Sequence, residues 1–221
     1  MILQKERFLI RCKEEDIEYV NNFDFEGFKK EYEKMKKLFG ENKELPNIRI
    51  CFLYSPEEYN FFTGDNYQEW KSACTGHHTT IFIFSPGIIE KYTIHKKESI
   101  FGAMVHELAH LFYGYSKLPN FLLFNEGIAE YFRSKNKCEH KINFKIPSLK
   151  GMNDMKYNYG VGHLMIYSII RNFGEEEGFK RIIEFLRSSN DNDSEDILSK
   201  RFEKIFSTDI NRLIKLKGGE F

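Results

Sequence analysis

The sequence predicts an α+β fold: a small mixed sheet with an edge strand in the N-terminal half, followed by a helical C-terminal half. Two observations lead there. Two short runs rich in β-branched and aromatic residues precede residue 85, and from Lys97 onward apolar residues recur at helical spacing. A third, the aromatic content of 16% with 22 Phe and 12 Tyr, implies a large ring-filled core. At 221 residues the chain is long enough to bury one.

In chain order, Phe25, Phe28, Tyr32, Met35 and Phe39 recur at three- and four-residue steps and predict an amphipathic helix over 25–39. Asp24 stands at its N-cap and Gly40 just beyond its end, and the Lys/Glu run within it is a solvated face. Asn47–Tyr54 (NIRICFLY) alternates and predicts a strand. It is followed by Ser55 as a helix cap, Pro56 at the first helical position and Glu58 closing a capping box. Thr79–Phe84 (TTIFIF) predicts a second strand, stopped by Ser85-Pro86-Gly87, and His77 and His78 are its entry residues. Helices are then expected over 99–113, 121–134, 159–172, 175–187 and 195–206, with a last short one near Thr208-Asp209.

The expected organisation is one domain. Residues 1–45 form a helical extension with no readable motif, open to capping a cleft, docking a partner or completing the core. Residues 46–115 carry the sheet and a buried helix, and 116–221 a helical subdomain. Lys plus Arg and Asp plus Glu are 33 each, which removes the cationic excess that nucleic acid or an anionic membrane rewards. No apolar run reaches a membrane-spanning length, and the first residues lack an apolar leader segment. Cys12, Cys51, Cys74 and Cys138 lie far apart with no CxxC pair. These features set the expectation of a cytoplasmic protein with free thiols, leaderless secretion aside.

Within the apolar run 99–113 stands His106-Glu107-Leu108-Ala109-His110. Four residues of α-helix turn through about 400°, so the two imidazoles stand one above the other on one face. Each can present a nitrogen to one ion at about 2.0–2.1 Å, the distance Zn²⁺ prefers. Glu107, one step around, is placed to take a proton from a water molecule the ion activates. Random placement of this composition yields the motif in about 2–3% of chains, so the pentapeptide alone is suggestive. Its setting adds to it, because burying two imidazoles and a carboxylate among apolar residues is costly unless a cation compensates. A third ligand is available fifteen residues later in Asn125-Glu126-Gly127-Ile128-Ala129-Glu130-Tyr131, where Glu126 is again an acid in an apolar surround. Glu130, one turn on, can accept the free N–H of a ligating imidazole and fix its orientation.

HELAH followed by NEGIAEYF resembles the gluzincin metallopeptidases, the thermolysin-like clan, over roughly residues 47–187. The resemblance implies a zincin-like metallopeptidase fold and Zn²⁺ held by His106, His110 and Glu126. It also implies Glu107 as general base and then acid in peptide-bond hydrolysis, and Glu130 as support for a zinc-bound histidine. The spacing between the second histidine and the glutamate is shorter than in the best-known branches. The metzincin pattern is excluded, since it needs Gly at 113 and His at 116 where this chain has Tyr113 and Ser116. Gly102-Ala103-Met104 matches the start of an aminopeptidase motif but lies inside the zinc helix, and no amine-binding motif remains, which favours an endopeptidase. By the same resemblance an oxyanion donor is expected downstream among Tyr157, Tyr159 and His163, with Tyr159 favoured by its distance from Gly174. The strand 79–84 is expected to be the edge that binds an extended peptide through Ile81, Phe82 and Ile83. The expected partners are a peptide or unfolded-protein substrate and an unidentified inhibitor or regulator protein. Two rival readings stand beside this one: a zinc-binding sensor or scaffold without turnover, and an interaction module in which the motif is fortuitous.

Overall fold

The structure, a computed structural model, describes residues 1–40, 44–76, 79–134, 146 and 148–215. The chain divides into two compact units, one of Met1–Lys36 with Asn42–Phe112 and one of Lys37–Glu41 with Tyr113–Phe221.

The first unit is built on a five-stranded sheet. Its strands are β1 (Ile2–Lys5), β2 (Phe8–Arg11), β3 (Ile48–Leu53), β4 (Ala73–Gly76) and β5 (Thr80–Phe84), in the order β1-β2-β3-β5-β4. The inner pairs β2/β3 and β3/β5 are parallel and the outer pairs β1/β2 and β4/β5 antiparallel. Parallel neighbours need crossover connections, and helices supply them. α1 (Ile17–Asn22) and α2 (Phe25–Phe39) lie between β2 and β3, and α3 (Pro56–Thr63) follows β3. α4 (Ile89–Tyr92) then leads to α5 (Ile100–Tyr115).

The expected caps form with one variation. Asp24 Oδ1 accepts the Gly27 N–H at 2.8 Å and Ser55 Oγ accepts the Glu58 N–H at 3.2 Å. Glu58 reaches back one residue further than a capping box requires, accepting from the Tyr54 N–H at 2.8 Å. A buried knot joins the early chain to the ends of two strands: Asp16 accepts from the Tyr54 hydroxyl at 2.6 Å and from Ser85 Oγ at 2.8 Å.

Two expectations are corrected. Residues 1–45 are not wholly helical, because they contribute β1 and β2. These strands have four residues each and turn through Glu6 at φ 51° without the Gly or Asn that announces a hairpin. Second, β5 is not an edge. Ile81, Phe82 and Ile83 are buried, with β3 on one side and β4 on the other. A continuous apolar run is the mark of a strand covered on both faces. The edge on that side is β4, whose Ala-Cys-Thr-Gly sequence carries no alternation. His77 and His78 lie outside the described residues.

The second unit is helical: α6 (Leu122–Arg133), α7 (Met155–Phe173), α8 (Glu175–Arg187), α9 (Glu195–Phe206) and α10 (Ile210–Lys215). α7 begins a turn earlier than its apolar pattern because Asp154 caps it, accepting from the Lys156 and Tyr157 N–H groups. Its core is aromatic, with Phe124 stacked on Phe185 at 5.1 Å and Phe202 on Phe206 at 4.2 Å. The loop before α7 is held by Asn158, fully buried, whose amide accepts from Met152 N–H at 3.0 Å and donates to its carbonyl at 2.6 Å. No helix among the described residues is long and apolar enough to cross a membrane.

Candidate metal centre

α5 is apolar nearly all round, and its polar exceptions are the motif residues. His106 is 5% exposed and Glu107 7%. The helical step brings the imidazole Nε2 atoms of His106 and His110 to 2.9 Å, with ring centroids 4.6 Å apart and planes at 81°. Neutral imidazoles converging in this way can share one cation.

Glu126 stands on α6 and is 6% exposed. The packing of α6 on α7 fixes how α6 is turned. A Cβ built on Gly127 would stand 2.4 Å from the Gly162 carbonyl oxygen, and one on Gly162 would stand 2.3 Å from that of Leu123. The two backbones therefore meet directly, and only glycine fits at the crossing.

One ligand atom from each of His106, His110 and Glu126 lies within 4.8 Å of the others, a group that could hold a metal ion. Two ligands about 2.0–2.1 Å from a tetrahedral ion stand roughly 3.4 Å apart, so this spacing needs only small side-chain adjustments. Two imidazole nitrogens and one carboxylate oxygen suit a borderline cation such as Zn²⁺. Three protein ligands leave a tetrahedral ion one open position, the arrangement of catalytic rather than structural sites.

Around Glu107 the first unit places two groups, Cys74 and Tyr59, on which its charge acts. Cys74 on β4 has its thiol pushed up to about 12, first by burial and next by the negative charge of Glu107. Tyr59 on α3, fully buried, is raised by burial, by Cys74 and, more weakly, by Glu107. Cys74 and Tyr59 thus stay protonated beside the carboxylate.

Of the remaining expected residues, Glu130 lies one turn beyond Glu126 and pairs with Arg133 at 3.2 Å. Tyr157 and Tyr159 occupy the first turns of α7, both half-buried, and burial raises the Tyr157 hydroxyl. His163 is buried and its Nε2 meets Ser134 Oγ at 3.0 Å. Cys12, Cys51 and Cys74 are free thiols, and Cys138 lies outside the described residues. Comparison with protein-family models, curated proteins and solved structures finds no match to this chain.

Proposed function

We propose that this chain is a zinc-dependent endopeptidase of the gluzincin type, with a zincin-like arrangement of sheet and metal helix. The observation that carries the reading is the grouping of His106, His110 and Glu126 next to a buried Glu107. Those three residues would hold the ion. When bound, Zn²⁺ supplies a Lewis acid that polarises a carbonyl and lowers the pKa of water from 15.7 to about 7.

The protein's own groups do the rest. Glu107 takes the proton of the attacking water on its carboxylate and later delivers it to the leaving amine. Its burial keeps that carboxylate out of bulk solvent, where a proton-transfer group is held in one place. Glu130, tethered by Arg133, orients a ligating imidazole. Tyr159 donates a hydrogen bond to the oxygen that becomes negative in the transition state. The substrate is a peptide or unfolded protein, taken in extended form. Three free thiols among the described residues suit the reducing cytoplasm.

Purified full-length protein tests the reading. It should retain about one zinc per chain and hydrolyse an unstructured protein such as casein, and a chelator should stop that hydrolysis. Glu107→Gln should keep the zinc and lose about 10²–10⁴ in turnover. Hydrolysis that survives this substitution, or protein that never retains metal, ends the proposal.

A further inference from the structure

The two faces of the sheet are finished differently. Phe8, Ile10, Ile48, Ile50 and Phe52 turn to one face, and each is 3% exposed or less. Strand alternation puts Leu9 and Arg11 of β2, Arg49 and Cys51 of β3, and Thr80 and Phe82 of β5 on the other. The register there runs Ile2, Arg11, Cys51, Phe82 across one row and Gln4, Leu9, Arg49, Thr80 across the next. α3 lies over the β5 side of this second face, with Phe62 stacked on Phe82 and Tyr59 on Phe84, both at 5.8 Å. Over β1, β2 and β3 the face is open. Leu9 and Cys51 are only half-buried, Gln4, Arg11 and Arg49 are exposed, and Ile2 is 73% exposed.

That open strip carries two arginines and no acid. Arg11 and Arg49 are diagonal neighbours on adjacent strands, so their Cβ atoms stand roughly 8 Å apart at a strand spacing of about 4.8 Å. The Arg11 guanidinium lies 4.9 Å from the centre of the Phe62 ring, which holds it over the sheet beside α3. Cys51 sits between the two. Burial pushes its thiol up, and the positive charges of Arg11 and Arg49 pull it back. Arg7, Arg133, Arg181 and Arg201 each meet a carboxylate within 3.2 Å. Arg11 and Arg49 have no ion-pair partner among the described residues.

We infer that the open face of β1–β3 docks an acidic segment of a partner protein, its carboxylate held between Arg11 and Arg49 and an apolar side chain laid on Ile2 and Leu9. Two like charges side by side without a counter-charge repel, and a carboxylate relieves that while accepting the paired N–H groups that a guanidinium presents. The apolar neighbours supply area that only a hydrocarbon-bearing partner covers. A net charge of zero denies the chain the broad cationic field that a polyphosphate rewards. Two arginines set among apolar side chains have instead the composition of a protein interface. This docking needs no metal at His106 and His110 and is independent of the peptidase reading.

The probes are two short blocked peptides, one of Leu and Glu and one with every Glu replaced by Gln, titrated calorimetrically into full-length Glu107→Gln protein so that neither is cleaved. The Glu peptide should bind about 10-fold more tightly at low salt, and the difference should shrink as salt is added. Arg11→Gln together with Arg49→Gln, at exposed positions, should remove that preference without changing the unfolding temperature. Bound Glu peptide should also slow the reaction of Cys51 with a maleimide, read by mass spectrometry, which places the peptide on this face. Equal binding of the two peptides, a preference that survives the double substitution, or unchanged labelling of Cys51 overturns the inference. So does tighter binding of inorganic phosphate or of a short oligonucleotide, which would give the two arginines to phosphate chemistry. A dimer seen in sedimentation and dissolved by the double substitution would give the face to a second copy of the chain and overturn it as well.

Discussion

α5 and α6 each place acids or imidazoles in apolar surroundings, but by different means. On α5 the geometry is local: a four-residue step sets the 2.9 Å approach of His106 and His110, and any regular helix would reproduce it. On α6 the direction of Glu126 is set from outside the helix, by the backbone contact of Gly127 with Gly162 on α7. A ligand pair fixed by helical pitch survives small shifts in packing. A ligand fixed by a helix crossing does not, and so the carboxylate is the more vulnerable member of the set.

The largest effect expected from this contrast is on metal retention. His110→Ala should abolish stoichiometric zinc binding after dialysis, while the circular dichroism of the metal-free protein stays that of the parent. Zinc retained by that variant would show that the imidazole pair is not the core of the site. Next is Gly162→Ala, which drives a methyl group into the Leu123 carbonyl. It should cost about 1–3 kcal/mol in denaturant unfolding, the usual range for overpacking. It should also weaken zinc binding although it removes no ligand. Loss of stability with unchanged zinc affinity would separate the crossing from the site.

The smallest effect concerns Cys74, whose environment is set by the sheet. Its pKa is about 12 against an ordinary 9.0, so the fold favours the protonated thiol. The stability this contributes is fully present below pH 9 and is lost as pH rises toward about 12. Alkylation by iodoacetamide, followed by mass spectrometry, should therefore be slow at Cys74 at pH 8 and accelerate through the range above 9. Modification at pH 8 as fast as that of a free thiol would place Cys74 away from Glu107.

The same division explains what could be read before the structure was known. α2, α8 and α9 match their expected bounds, because apolar periodicity and capping residues are written into consecutive positions. The HELAH pair was legible for that reason. β1, β2 and β4 were not. They have four residues each, and their stability comes from neighbours distant in the chain rather than from their own pattern. The burial of TIFIF was legible as apolar character, yet it pointed to the interior of the sheet rather than its edge. Glu126 was visible as an acid among apolar residues, whereas the glycine contact that turns it was not, since Gly162 lies on another helix. Tyr59, which feels the charge of Glu107, belongs to the same class.

The knot around Asp16 bears on how the first unit assembles. Its partners Tyr54 and Ser85 lie 38 and 69 positions further along the chain. During synthesis that carboxylate stays hydrated until β3 and then β5 have left the ribosome. The β1/β2 hairpin can form early, but its parallel attachment to β3 must first close a long loop, and non-local closure of this kind slows folding. The N-terminal unit is thus set to be the slow step of maturation, and its unfinished sheet the surface most in need of a chaperone.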